Sequence, residues 1–105
     1  MISMANYRAG ADLERAFIAK FEASGAYLGF RSAGSHGIAD VILVPIDRPD
    51  LDSERVPIIA QLKRTSAKDK VEYEKFKNAR LLGVLKWWVS KPKGVGMDDM
   101  KIEVL

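Results

Sequence analysis

Two apolar runs of strand length, each bordered by polar residues, constrain this chain more than any other feature. The first run, residues 41–44, follows Asp40, and the second, residues 56–63, ends in Gln61-Leu62-Lys63. Side chains alternate between the faces of a strand, so Gln61 and Lys63 must point to the same side. Neighbouring strands usually pair, which would bring Asp40, Gln61 and Lys63 together at one edge of a sheet. A carboxylate, an amide oxygen and an amine grouped in this way are suited to holding a divalent metal and activating a water molecule.

Composition limits what else the chain can be. Its 105 residues are enough for a single domain, spanning residues 1–105, with a core of its own. It has no cysteine and one histidine, which excludes disulfides, thiolate sites and multi-histidine clusters, so any metal must be held by oxygen. No stretch approaches the roughly 20 apolar residues of a membrane span, and no signal peptide is evident, so we expect a soluble protein of the cytoplasm, or of the host-cell cytoplasm if it is viral. A net charge of +3 favours a polyanionic partner.

Two segments have helical spacing. In residues 9–23 the apolar positions recur every four residues, and Gly25 is expected to end this helix. Residues 1–6 before it have no periodicity and are predicted to form a loose arm. A second helix is expected to begin near Ser66, because Ser66 and Asp69 have the spacing of a capping box, and to run to about residue 82. The inner face of that helix is predicted to consist of Val71, Phe76, Ala79 and Leu82.

Strand patterns alternate with the helices. Residues 27–31, 84–89 and 101–105 add three strands to the two central runs. The resulting order predicts an α/β domain with a mixed sheet flanked by helices. Trp87 and Trp88 must face opposite sides of their strand, so one is expected to fill the core and the other to cover a helix or a partner. Residues 45–55 between the central strands are acidic but lack the glycine and the closing glutamate of an EF-hand loop, which argues against a calcium site.

Other polar residues lie near the expected edge of the sheet. Residues 32–37 form a loop of small residues that is either a plain turn or a phosphate-binding loop with serine donors. Arg31 ends a strand beside this loop, where a guanidinium would bind phosphate, whereas His36 is expected to be an exposed loop residue. Glu14 borders the core face of the first helix, so it is either a solvated glutamate or a carboxylate that reaches the polar edge of the sheet.

Four segments of the chain closely resemble the archaeal-type Holliday junction resolvases, which belong to the PD-(D/E)xK nuclease superfamily and have the restriction-endonuclease-like fold. These segments are Arg8-Ala9-Gly10-Ala11-Asp12-Leu13-Glu14-Arg15, Phe30-Arg31-Ser32-Ala33-Gly34-Ser35, Ile38-Ala39-Asp40-Val41-Ile42 and Gln61-Leu62-Lys63. The superfamily signature alone has low specificity. The Arg-Ser-Ala-Gly-Ser stretch, combined with a helical glutamate upstream, is much more specific. The similarity runs from about Tyr7 to the last strand.

The resemblance implies a role for each matching residue. Asp40 would be a direct metal ligand, Glu14 would assist metal binding, and Lys63 would be the catalytic lysine. Gln61 stands where the family has a glutamate, and its amide oxygen can coordinate Mg²⁺ but brings no charge. The resemblance thus implies Mg²⁺, or Mn²⁺ as a substitute, held by Asp40, Gln61 and the backbone carbonyl of Leu62. Lys63 would orient or deprotonate the attacking water molecule.

The resemblance also implies the substrate, which is branched DNA. A structure-selective endonuclease of DNA recombination and repair would resolve four-way junctions by two symmetric nicks, which implies a two-fold homodimer. Phosphate contacts would recognise junction shape more than base sequence. The residues predicted to make these contacts are Arg8, Arg31, Ser32, Ser35, Arg64, Lys68 and Lys70. Two alternatives stay open: a junction-binding module that lost catalysis through Gln61, and a monomeric nuclease of the same superfamily that acts on flaps.

Overall fold

A computed structural model describes residues 4–32 and 38–105 of this chain, and the side chains of residues 10–32 and 38–105. Its elements are α1 (Met4–Ala23), β1 (Tyr27–Arg31), β2 (Val41–Pro45), β3 (Ile58–Lys63), α2 (Lys70–Asn78), β4 (Leu85–Ser90), a single 3₁₀ turn (Met97–Asp99) and β5 (Lys101–Val104). The five strands form one mixed sheet in chain order, in which only β3 and β4 are parallel. The predicted α/β class with a flanked mixed sheet is confirmed. No helix in the described ranges is long and apolar enough to cross a membrane.

Helix α1 packs on one face of the sheet. Its Leu13 and Phe17 are buried in a core cluster with side chains of the three central strands, namely Val41, Leu43, Ile58, Ala60, Leu62 and Val89. Gly29 of β1 allows the close approach of the helix, because a Cβ at this position would lie 2.6 Å from Cγ2 of Ile18. Gly25 follows the helix with a φ of 72°, a conformation that favours glycine, so the predicted end of α1 is confirmed.

Helix α2 covers the other face of the sheet, but only over β3 and β4. Phe76 of α2 and Trp88 of β4 form a second core cluster together with Ala39 and Ile59. Trp87 points to the opposite face and contacts Phe21 of α1, with the ring centroids 5.5 Å apart. The two tryptophans therefore face opposite sides of β4, as predicted. Neither helix of the described ranges lies over the β1–β2 part of the α2 face, and four apolar side chains are exposed there: Leu28, Phe30, Ile42 and Val44.

The acidic loop between β2 and β3 is fixed to the sheet by arginines. Arg55 donates through Nη1 to the carbonyl of Ala26 at 2.7 Å and through Nε to the carbonyl of Asp52 at 2.9 Å. Arg48 forms an ion pair with Asp50 at 2.7 Å. β2 and β3 are antiparallel neighbours, so this segment is a hairpin connection between them.

Two predicted boundaries are wrong by a few residues. α1 begins at Met4, so residues 4–6 are helical and not part of an arm, while residues 1–3 lie outside the described part of the chain. No proline interrupts this segment, and Met and Ala favour the helix. β3 begins at Ile58 and not at residue 56, because Pro57 has no N–H group to donate to a strand ladder.

The predicted second helix is wrong at both ends and in most of its inner face. It ends at Asn78 and not near Leu82, because Nζ of Lys86 binds the last carbonyls, those of Phe76, Lys77 and Ala79, at 3.1, 2.6 and 2.9 Å. Leu82 lies beyond the helix and is 100% exposed. Val71 is 81% exposed, because it precedes the buried Phe76 by five residues and so lies about 140° round the helix.

The start of α2 also differs from the prediction. Asp69 is the N-cap residue, and its side chain accepts from the backbone N–H of Glu72 at 3.1 Å. The capping pair is thus Asp69 with Glu72, three residues later in the chain than Ser66 with Asp69. This shift matters for function, because it places Glu72 in the first turn of the helix, above β3.

Candidate active site

Asp40 lies immediately before β2 and is held by three hydrogen bonds. Its backbone N–H donates to the carbonyl of Ala60, and its own carbonyl accepts from the N–H of Ser32, both at 2.9 Å. Its side-chain Oδ2 accepts from the backbone N–H of Leu62 on β3 at 2.8 Å. None of the described residues donates to Oδ1. The carboxylate is therefore oriented by β3 and keeps one oxygen available.

Gln61 lies on the face of β3 that α2 covers. Its side chain is only 5% exposed, and its Nε2 donates to the backbone carbonyl of Ile38. This bond fixes the amide, and Oε1 is buried without a hydrogen-bond partner in the described part of the chain. A buried acceptor without a partner is costly, and each one calls for an explanation such as an ion or a water molecule. The neutral oxygen that the sequence predicts as a metal ligand therefore has an unfilled acceptor position.

Lys63 shares this face with Gln61, because the two are separated by one residue on the strand. Its Nζ lies 2.6 Å from Oε1 of Glu72 and 5.4 Å from the ring centroid of Trp88. The sequence reasoning missed Glu72. The signal was the sequence Asp69-Lys70-Val71-Glu72, a capping box that puts a glutamate in the first turn of the helix after Lys63.

The electrostatic environment of Asp40 disfavours its charge. Burial is the main cause that raises the pKa of this carboxyl above its ordinary value. The hydrogen bond from Leu62 and the ammonium of Lys63 act in the opposite direction, while the negative Glu72 raises the pKa further. Asp40 and Glu72 thus lie within electrostatic reach of each other. A cation placed between them would offset both the cost of burying the charge of Asp40 and the repulsion between the two carboxylates.

Glu14 is separated from this group by its ion pair with Arg31. Glu14 belongs to α1, on the opposite face of the sheet from α2, and its Oε1 accepts from Nε of Arg31 at 3.3 Å. Burial raises the pKa of Glu14, the bond with Arg31 lowers it, and the charge of Asp40 raises it. In the described residues no three His, Cys, Asp or Glu side chains come together as a metal-binding group. A cation here would need amide or carbonyl oxygens as well as carboxylates.

Cations surround this edge of the sheet on both faces. On the α1 face a cleft of about 370 Å³ is lined in part by Arg64, Lys91 and Lys93. On the α2 face a cleft of about 570 Å³ is lined in part by Ser66, Lys68, Ser90 and Lys101. Lys63 lies between the two clefts, since it pairs with Ser90 across the sheet and its carbonyl accepts from the N–H of Lys91. Positive charge on both sides of Lys63 is suited to a polyanion.

The predicted phosphate-binding residues are found in different settings. Arg64, Lys68 and Lys70 belong to the exposed segment between β3 and the start of α2. Lys68 donates to Glu103 at 2.9 Å, and this bond raises the pKa of the lysine. Ser32 contacts Asp40 through its backbone, and Arg31 is partly occupied by Glu14. The predicted contacts of Arg8 and Ser35, and the predicted exposure of His36, concern side chains outside those that the structure describes.

No family model matches the chain, and comparisons with curated proteins and with solved structures found no match. The interpretation of this site therefore depends on its geometry and on the sequence motifs.

Proposed function

We propose that this protein is a divalent-metal-dependent endodeoxyribonuclease with the restriction-endonuclease-like fold, and that it resolves four-way DNA junctions by paired nicks. One observation above all supports the proposal. The amide oxygen of Gln61 is buried without a partner among the described residues, on the strand that orients Asp40 and on the same face as Lys63. Basic clefts on both sides of Lys63 add support for a polyanionic substrate.

The oxygens at this edge fit a hard cation. Oδ1 of Asp40 and Oε1 of Gln61 accept no hydrogen bond from the described residues, and the backbone carbonyl of Leu62 is the third oxygen we assign. Mg²⁺ and Mn²⁺ prefer oxygen ligands of these kinds. When bound, such an ion supplies positive charge that acidifies a water molecule and neutralises the scissile phosphate.

The protein groups supply the remaining charge and position the substrate. The ammonium of Lys63 is held by Glu72 and Trp88 at the mouth of the site, where it stabilises the negative charge that builds on the phosphate as the bond breaks. It is also the nearest group to orient the attacking water molecule. Arg64, in the cleft on the α1 face, and Arg31, beside Glu14 on the same face, are the cations we assign to neighbouring phosphates.

Paired nicks require two active sites, and we propose a two-fold homodimer. The exposed apolar side chains on β1 and β2 support this part of the proposal. They form two directly opposed pairs, Phe30 with Ile42 and Leu28 with Val44, on the part of this sheet face over which neither described helix lies. Contiguous exposed apolar surface of this kind often marks an interface between proteins.

A second candidate function is a junction-binding module without catalysis, and the missing charge at Gln61 favours it. Both candidates are tested by incubating labelled four-way, flap and linear DNA with the protein and Mg²⁺. We expect two symmetric nicked duplexes from the four-way junction alone and a dimer in sedimentation. Binding without nicks in Mg²⁺ and in Mn²⁺ would support the module, and nicking of flaps by a monomer would support the flap nuclease.

The decisive variant is Asp40→Ala. It should abolish nicking in both metals and leave junction binding nearly unchanged, because Asp40 acts on the chemistry and the basic clefts act on affinity. Asp47→Ala, which removes an exposed acid from the loop after β2, is the matched control and should cleave at the normal rate. Normal cleavage by Asp40→Ala would show that the site lies elsewhere.

A further inference from the structure

The oxygens assigned above include only one carboxylate, that of Asp40. The strength of a site for a hard cation depends on how many charged ligands it has. Gln61 cannot add charge, and its Nε2 is engaged with the carbonyl of Ile38, so only Oε1 is available. A second carboxylate on this face of the sheet would make up for the charge that position 61 lacks.

Glu72 is the carboxylate that the fold places against Lys63 on this face, whereas Glu103 on the same face is bound by Lys68 and Tyr73. It lies in the first turn of α2, and its Oε1 accepts from Nζ of Lys63 at 2.6 Å. Lys63 and Gln61 point to the same side of β3, so the helix holds Glu72 above the strand that carries the unpartnered amide oxygen. No described residue donates to the second oxygen of Glu72, which leaves it available as a ligand.

We propose that Glu72 is the second carboxylate ligand of the divalent metal, supplied by α2 in place of the charge that β3 lacks at Gln61. This inference rests on the metal site of the proposed function. Without metal, Lys63 acts as the counter-ion of Glu72. With a metal bound, the free oxygen of Glu72 would serve as its ligand, and Lys63 would keep its contact with the other oxygen or move to the substrate.

Two further observations separate Glu72 from the other acidic residues nearby. Glu14 lies on the opposite face of the sheet and is paired with Arg31. Glu74, two residues after Glu72, is exposed, and its carboxylate contacts only Asn78 of its own helix among the described residues.

The test measures metal binding directly and uses no DNA. Mn²⁺ is titrated into the metal-free protein, and the free ion is followed by electron paramagnetic resonance. We expect one Mn²⁺ site in the natural protein. Glu72→Gln should weaken it about tenfold or more, since losing even an outer partner of a metal ligand costs 10–100-fold. Glu74→Gln removes the same charge from the same helix and should bind Mn²⁺ like the natural protein.

A second background distinguishes a ligand from a residue that only positions Lys63. Lys63→Met removes the ammonium that competes for Glu72, so it should bind Mn²⁺ at least as tightly as the natural protein. Adding Glu72→Gln to Lys63→Met should again weaken binding about tenfold. If Glu72 acts only through Lys63, the added change will have no effect. Urea unfolding verifies that each variant is folded, and glutamine is itself accepted at this capping position.

The outcomes for the metal and for the nuclease are separable. If Glu72→Gln binds Mn²⁺ normally, or if the natural protein binds no Mn²⁺, the inference is wrong. If Glu72→Gln weakens Mn²⁺ binding but the natural protein cuts no DNA, Glu72 is a ligand and the nuclease proposal fails. If four-way junctions are cut with Mg²⁺ and Glu72→Gln leaves Mn²⁺ binding unchanged, the nuclease stands and the inference fails.

Discussion

Replacing Gln61 by glutamate probes the centre of the site, because the structure gives the two ends of its amide different tasks. Nε2 donates to the carbonyl of Ile38, whereas Oε1 has no partner among the described residues. Gln61→Glu adds a charge that a metal would favour, but it also replaces the donor by a second acceptor. The metal-free variant must therefore be less stable than the natural protein, and metal must restore part of the loss.

The size of the loss follows from the lost donor and from the burial. An ionised glutamate here loses a hydrogen bond worth about 0.5–1.5 kcal/mol and leaves the Ile38 carbonyl unsatisfied at about 1–3 kcal/mol. Taking up a proton restores a donor, and at pH 7 this costs about 4 kcal/mol for a carboxyl with an ordinary pKa. Since the protein adopts the cheaper state, we expect a loss of about 2–4 kcal/mol.

The pH dependence has a defined sign. The introduced glutamate, being only about as exposed as Gln61 at 5%, binds its proton more tightly in the folded than in the unfolded state. Its destabilising effect should be small near pH 4 and grow as the pH rises above the ordinary glutamate pKa. Metal that binds only the folded state adds about 2.7 kcal/mol at one hundred times its Kd, so Mg²⁺ should recover most of the loss at pH 7.

Urea unfolding in EDTA and in Mg²⁺, at pH 4.5 and 7, measures these effects. A loss of this size moves the urea midpoint by about 1–2 M. Gln61→Met is the matched control, because it also loses the hydrogen bond but adds no charge, so its loss relative to the natural protein should not grow with pH and should not be recovered by Mg²⁺. If Gln61→Glu unfolds like the natural protein in EDTA at pH 7, the amide is not held against Ile38. If Mg²⁺ has no effect on its stability, Gln61 is not at a metal site.

Three further outcomes are expected. Lys86→Met should lower the free energy of unfolding by about 2–3 kcal/mol, because Nζ donates to three carbonyls at the end of α2. Lys75→Met, on the exposed side of that helix, is the control and should change the free energy of unfolding in urea by under about 0.5 kcal/mol. Asp40→Asn should make the metal-free protein more stable at pH 7 to 8, because burial raises the pKa of Asp40 and so disfavours its charged form. This gain should vanish as the pH falls below about 4, and thermal unfolding at a series of pH values measures it. The logarithm of the junction association constant should fall linearly with the logarithm of salt concentration, with a slope of about −0.9 per phosphate neutralised, and a flat response in a titration would exclude nucleic acid as the partner.

The sequence was sufficient for the sheet and for the faces of its strands. Side chains alternate between the two faces of a strand, so one buried position is enough to assign the faces of its neighbours. This alternation places Gln61 and Lys63 on the same face. Helix α2 was harder. A period of 3.6 fits several registers in a short helix, so Phe76 was assigned correctly to the inner face but Val71 and Leu82 incorrectly.

A residue outside the helix helps to fix where α2 ends. Lys86 is on β4 and binds the carbonyls that end the helix, so its effect depends on a contact formed only in the folded chain. The prediction of the site was limited in the same way, because one of its residues belongs to this helix. Asp40, Gln61 and Lys63 could be grouped because strand pairing brings them together, but Glu72 depends on where the helix begins and on how it lies over β3. A helix-borne ligand needs the tertiary structure to be found.

The contact between Lys63 and Glu72 balances part of the charge at the proposed metal site when no metal is bound. Asp40 is largely buried, and its charge is repelled by Glu72 and attracted by Lys63. An ammonium 2.6 Å from Glu72 compensates part of the negative charge that a metal would otherwise balance. The same ammonium must then be displaced or shared when a metal arrives, so Lys63 lowers metal affinity while it supplies charge for the phosphate. Lys63→Met should therefore separate the two tasks, with metal binding kept or strengthened and cleavage lost.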